Sequence, residues 1–355
     1  MTDKNDTNRP TTGVFSVVRE KWLAGSMLGL GLFTAALWAF QPGDEGASIT
    51  ATLRKQAEVA SLPVVGVGPA QAGTRQSSAE TDPTDTQVAR FASATVDQLE
   101  SRFERHNYTL ETVRADQAEV PRIVPQTVPS DLKEIQQVDR KKQVFLQMVL
   151  PLVLMVNERL TEQRDRLQEL SAMINRGEAP APTQQAWLDE MYASYKVDAG
   201  EIGALIKRVD VVPPSLALAQ AAIESGWGTS RFAREGNALF GQWVWGDDAK
   251  GIVPEGRESG KTHKVRAFDT PLEAVAAYIK NLNTHRAYRK LRTMRSDLRD
   301  QGAGINGLTL AGGLEAYSEK GMAYVKLVRG IISANELRPL DRARLAGSRP
   351  PASNV

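Results

Sequence analysis

The chain has no cysteine among its 355 residues. Disulfides, thiolate metal sites and a cysteine nucleophile are therefore excluded. Histidine is almost as scarce. His106, His263 and His285 are far apart and do not form the HExxH spacing of a helical zinc site. No metal and no other cofactor is expected. There is little excess of charge of either sign: 44 basic against 42 acidic residues, a net +2. That is too small to mark a dedicated nucleic-acid binder. What remains is ordinary for a globular protein, 41% hydrophobic and 24% charged, in a length that suits one or two domains with connectors.

Long apolar runs are also few. The first is Trp22 to Phe40, 19 residues without a charge. About 20 apolar helical residues cross a bilayer core of about 30 Å. Trp22 and Trp38 sit near the two ends, where indole rings favour the interface. Arg19 and Lys21 precede the run and Asp44 and Glu45 follow it, so residues 1–21 are expected in the cytoplasm and the rest outside. A cleaved signal peptide is the competing reading, but its apolar region is usually about 7–15 residues with a small-x-small cleavage site. Leu37 spoils an Ala-x-Ala ending at Ala39. The expectation is a single uncleaved anchor at 22–40, in an inner membrane with the remaining chain periplasmic.

The second run, Val144 to Val156, has 13 residues and contains Gln147 and Pro151. Flanked by Lys141, Lys142 and Glu158, it is too short to span. It reads as a buried core helix bent at Pro151. Residues 42–86 are rich in Gly, Ser, Thr, Pro and Ala and cannot bury enough surface to offset their ordering entropy. Residues 41–130 are therefore expected to be a flexible tether with weak helix, where Phe91, Val96, Leu99 and Phe103 carry a faint periodicity. A helical extension is expected over 131–185, a main helical domain over 186–340, and a disordered tail over 341–355.

Within the main domain, Pro213-Pro-Ser215 opens a helix, with proline suited to its first turn. Leu216, Ala219, Gln220 and Ile223 share one face at i, i+3, i+4, i+7. Glu224 ends that helix, followed by Ser225, a C-capping Gly226, then Trp227 and Gly228. A carboxyl beside an indole loses solvation, which raises its pKa and suits it to general-acid work near neutral pH. Residues 240–268 are glycine-rich and turn-rich, with short strands at Trp243–Trp245 and Lys264–Phe268. Helix resumes at Thr270-Pro-Leu-Glu273, a capping-box pattern. Arg286, Arg289, Lys290, Arg292, Arg295 and Arg299 read as a solvated basic helix face.

The run Ala219-Gln-Ala-Ala-Ile-Glu-Ser-Gly-Trp-Gly228, with Ser230 and Gly236-Asn-Ala-Leu-Phe-Gly241, closely resembles the glucosaminidase family of peptidoglycan hydrolases, and within it the Bax-like bacterial proteins. The resemblance covers about 135–337 and extends through Asn281-Leu-Asn-Thr-His-Arg-Ala-Tyr288. It implies a mainly α, lysozyme-like domain with a small β-hairpin lobe, acting on peptidoglycan glycan strands. Glu224 matches the glutamate that protonates the glycosidic oxygen. Trp227, Asn237 and Phe240 fall among the substrate-binding candidates, with Trp243 and Trp245 offering aromatic faces to sugars. Gly313-Leu-Glu-Ala-Tyr-Ser-Glu-Lys-Gly-Met-Ala-Tyr324 resembles the family's late tyrosine motif without its frequent Thr-Asp-Pro, and Tyr317 is the matching cleft tyrosine. Tyr324 opens an apolar stripe with Leu327, Val328, Ile331 and Ile332; core packing is favoured for it, a place in the cleft being the alternative.

The second catalytic group stays open. Glu255 and Glu258 are the only glutamates in the hairpin region, and each also reads as a solvated turn residue. The substrate's own N-acetyl group is a third option, used by some glycosidases. A lytic transglycosylase and a non-catalytic, membrane-tethered glycan-binding protein are the rival functions, and the sequence sets no oligomeric state.

Overall fold

The computed structural model describes residues 89–91, 95–246, 249–257 and 260–348. The expected cytoplasmic tail, the anchor at 22–40 and the tether as far as residue 88 lie outside the described residues.

Strand β1 (Ala89–Phe91) pairs in parallel with β2 (Ile123–Pro125). Between them lie helices α1 (Val96–Arg105) and α2 (Leu110–Arg114). Each starts at a threonine whose side chain accepts an N–H of the first turn: Thr95 from Gln98, Thr109 from Thr112. Val96, Leu99 and Phe103 form one buried stripe. This corrects the expected tether. Residues 95–130 belong to the folded body. Helices of 10 and 5 residues are too short to stand alone, so their stability comes from packing that a local pattern shows only faintly.

Helix α3 (Val138–Asn175) runs for 38 residues without interruption at Pro151. Val144 to Asn157 is buried on every side, whereas further on only Leu160, Leu167 and Leu170 are, a single stripe on an otherwise charged surface helix. By length and composition α3 would pass for a membrane span, but its apolar window is 78% buried inside the domain. Pro151 has no N–H to offer the carbonyl of Gln147 four residues earlier. Tyr108, from the stretch expected to be tether, donates its hydroxyl to that carbonyl at 3.3 Å, and Gln147 Nε2 donates back to the Tyr108 carbonyl at 2.7 Å.

Helix α4 (Pro182–Tyr195) starts on a proline in its first turn and spans the boundary expected at 185–186. One continuous core joins the extension to the main domain. After α5 (Ile202–Arg208) comes α6 (Pro214–Ser225), buried along nearly its whole length. Its N-terminus follows Pro213 and has no side-chain cap of its own. Asp341 supplies one from a distance, accepting from the Ser215 N–H and hydroxyl, both at 2.8 Å, and from the Gly307 N–H at 3.1 Å. The expected disordered tail is thus corrected as far as Ser348. Val120 and Ala346 donate their N–H groups to the carbonyls of Arg344 and Val120, and Ser348 bonds Glu158.

Helix α7 (Arg231–Gly236) leads into a small lobe whose strands β3 (Trp243–Val244), β4 (Gly251–Ile252) and β5 (Lys264–Arg266) are ordered β3-β5-β4, all antiparallel. The expected hairpin is present with β4 as a third strand. Helix α8 (Pro271–Thr284) begins at Thr270, whose side chain accepts from the Glu273 N–H. Then come α9 (Arg289–Asp300), α10 (Gly307–Leu310) and α11 (Met322–Ala334). The architecture is mainly α with a small β-lobe, as expected.

The basic face of α9 is not all solvated. Arg295 is fully buried, donating to the carbonyls of Asp210 and Val211, and Arg292 caps the end of α8 through the carbonyls of Leu282 and His285. Arg164, Arg295 and Arg299 converge on Asp210. Burial alone would raise the Asp210 carboxyl, but the hydrogen bonds from Arg299 and the three positive charges hold it below the usual range.

Candidate active site

Glu224 is the next-to-last residue of α6, and the turn that follows is unusual. Gly226, Trp227 and Gly228 all have positive φ, at 58°, 59° and 76°. For Trp227 that conformation costs about 1–2 kcal/mol. Packing holds it: its ring meets Phe145 edge-on at 5.9 Å, and the Lys142 ammonium lies 5.3 Å from the ring centre. Gly228 has no room for a side chain, since a β-carbon there would come within 2.7 Å of Leu132. Ser225 pins the turn, donating to the Ala221 carbonyl and accepting from the Gly228 N–H. Trp227 therefore supports the turn from the α3 side.

The Glu224 carboxyl is set among phenols. Tyr324 donates its hydroxyl to Glu224 Oε1 at 2.8 Å. Gln220, one turn earlier on α6 and fully buried, donates Nε2 to Tyr324 Oη at 3.0 Å. Tyr278 of α8 donates its hydroxyl to Gln220 Oε1 at 2.6 Å. Tyr317 stacks on Tyr324 with centroids 5.2 Å apart, and Tyr288 lies 5.8 Å from Tyr317. The other carboxyl oxygen, Oε2, faces Gly241 at the start of the lobe; a β-carbon at 241 would sit 3.8 Å from it. That distance is ordinary contact, but Gly241 has φ of 58°, so an L side chain is disfavoured there by the backbone.

Burial raises the Glu224 pKa, and the Tyr324 hydrogen bond partly offsets that rise. Burial also pushes up the phenols of Tyr278, Tyr288, Tyr317 and Tyr324, Tyr288 to about 12, so all four keep their protons near neutral pH. A half-buried carboxyl with a raised pKa, one oxygen held and the other facing a lobe, can hold and release a proton.

The remaining candidates divide. Tyr317 is in the cluster but meets Glu224 through Tyr324, whose ring is buried in the core as favoured while its hydroxyl is the one that touches the carboxyl. Leu327 of the expected stripe is 45% exposed. Asn237, expected at the substrate, is buried, and its amide is spent on structure: Oδ1 accepts from the Val128 N–H, and Nδ2 donates to the carbonyls of Phe268 and Asp269. Phe240 is likewise buried, stacked on Tyr278 at 3.8 Å, and supports the cluster rather than lining a cleft. Trp243 meets His263 edge-on at 4.8 Å, while Trp245 is 45% exposed. Glu255 is 77% exposed and ion-paired with Arg231 at 3.3 Å. Glu258 lies outside the described residues. Among the described residues no group of acidic and histidine side chains is placed to hold a metal ion.

Sequence reasoning missed Gln220, Tyr278 and Tyr288 as site residues. One signal was available for Gln220, a polar residue four positions before Glu224 and hence on the same helical face. Tyr288 closes the Asn281–Tyr288 stretch that shares the resemblance, whereas Tyr278 carried no signal, because a buried phenol has the same spacing as any core residue.

Comparison with known proteins bears on this arrangement. The family model described as mannosyl-glycoprotein endo-beta-N-acetylglucosaminidase matches residues 202–337. Protein bax of Escherichia coli strain K12 is 34% identical over 200 residues, which is 55% of this chain and 69% of that protein. The crystal structure of the catalytic domain of the autolysin Auto from Listeria monocytogenes aligns with 49% of this chain and 96% of its own, at 18% identity and a TM-score of 0.29.

Proposed function

This chain belongs to the glucosaminidase family of peptidoglycan-degrading glycosidases, and from that premise we propose that it cleaves glycosidic bonds at N-acetylglucosamine in peptidoglycan with Glu224 as the general acid. The observation that carries the reading is the setting of Glu224: a half-buried carboxyl at a helix end, Oε1 held by Tyr324 and Oε2 facing the lobe at Gly241.

In the proposed reaction a glycan strand lies between the helical body and the β-lobe. Glu224 gives its proton to the leaving oxygen, and the anion left behind is steadied by the Tyr324 hydroxyl. Trp245, 45% exposed, offers an aromatic face to a sugar ring. Tyr317 keeps Tyr324 in place by stacking. The second group is Glu255, Glu258 or the substrate's N-acetyl group; the Arg231 ion pair and the solvation of Glu255 favour the substrate-assisted route over Glu255. The expected span at 22–40 would anchor the domain on the periplasmic face of the inner membrane.

Product analysis tests the reaction type. Mass spectrometry of purified sacculi digested by the full-length chain is expected to show new reducing ends at N-acetylglucosamine. Anhydro sugars would instead assign a lytic transglycosylase.

A further inference from the structure

The hydrogen bonds behind Glu224 have a direction, and the charge on Glu224 sets it. An ionised carboxylate can only accept. Tyr324 has one hydroxyl proton, and it is committed to Glu224 Oε1 at 2.8 Å. Tyr324 Oη must then accept from its other neighbour, so the Gln220 amide presents Nε2 there at 3.0 Å. That leaves Gln220 Oε1 facing Tyr278, whose hydroxyl donates to it at 2.6 Å. Reversing the Gln220 amide would offer Tyr324 an acceptor in competition with Glu224, and would leave the Tyr278 proton without one. Tyr278 itself is locked by stacking on Phe240.

We propose that Gln220, oriented by Tyr278, is a positioning residue that decides which oxygen of Glu224 carries the reactive proton. The proposal rests on Glu224 being the acid. With Oε1 held as an acceptor, the proton of the neutral carboxyl belongs on Oε2, the oxygen that faces Gly241 and the lobe. The amide has a second effect. By keeping the Tyr324 proton on Glu224, it favours the ionised form and restrains the rise that burial imposes. Among the described residues Tyr324 on α11 is the titratable group that acts on the Glu224 carboxyl, and the Glu224 charge in turn raises the phenols of Tyr317 before α11, Tyr278 on α8 and Tyr288 after α8. Neither Gln220 nor Tyr278 bonds to the Glu224 carboxyl, so both act through Tyr324.

The test is the pH profile of sacculus digestion by the full-length chain, wild type against Tyr278→Phe and Gln220→Glu, with Glu224→Gln as control. The alkaline limb of kcat/KM reports the acid in the free enzyme. Tyr278→Phe keeps the stacked ring but frees the Gln220 amide to turn, and moves that limb upward by about half a pH unit. Gln220→Glu draws both phenols to itself and moves it further, by about one unit or more. If Gln220→Glu fails to fold by circular dichroism, Tyr278→Phe carries the test alone. A limb unmoved in Tyr278→Phe, whatever its rate, overturns the proposal. Undiminished digestion by Glu224→Gln would instead remove the acid assignment on which it stands.

Discussion

Glu224 sits where an ionised carboxyl is poorly served. Burial raises its pKa, and the Tyr324 hydrogen bond only partly offsets this. A carboxyl whose folded pKa is raised binds its proton more tightly in the folded chain than in the unfolded one. Stability is then lost as pH rises from the ordinary glutamate value through the folded value, and the deficit is complete above it. Glutamine cannot ionise, so Glu224→Gln escapes that loss. Calorimetry across pH should find the variant's Tm above that of wild type near neutral pH, with the gap closing in acid, where both side chains are neutral. A gap independent of pH would show that the carboxyl is not under this stress. Such a cost is what functional carboxyls carry in exchange for a pKa matched to their task. At this scale the sequence was informative about the acid itself, because the helix pattern, Gly226 and the glycine-flanked Trp227 all converge on one residue. It was less so about Trp227, whose indole packs against Phe145 and Lys142 and braces the turn from the α3 side.

Elements are held in register by polar groups donated from far along the chain. Pro151 leaves the Gln147 carbonyl without its helical donor, and the Tyr108 hydroxyl takes that role inside the core. Tyr108→Phe leaves that carbonyl buried and unpaired, for a loss of about 1–3 kcal/mol in chemical denaturation at unchanged m-value. A loss below a few tenths would mean that α3 needs no such donor. Asp341 does the same for the N-terminus of α6, reaching it from 126 residues away. Neither contact was legible in the sequence. Helix α3 and α6 could be read from hydrophobic spacing and from proline at the helix start. The partners of their orphaned backbone groups depend on chain reversals that spacing does not encode. Pro151 announced that a carbonyl would be left over but not which side chain would meet it.

At the scale of the whole molecule, the sequence separates a body from its approach, and the boundary falls earlier than composition suggests. Residues 95–130 read as a weakly helical tether because their helices are short and their polar content is high. In the fold they lie against α3, and Val120 joins the segment at 344–346. Asn237 shows the same integration, tying residue 128 to the far end of the lobe at 268–269. A motif residue that resembled a ligand contact is here a structural joint, because its amide bonds are all satisfied within the protein. The body thus presents α6, α8, α11 and the lobe as one frame around Glu224. Whether that frame is a glycosidase rests on a single comparison: release of soluble fragments from purified sacculi by the full-length chain and by Glu224→Gln, with sacculus binding measured on both. The account predicts equal binding and a loss of release of about 100-fold or more in the variant. Release by Glu224→Gln at the wild-type rate would contradict it.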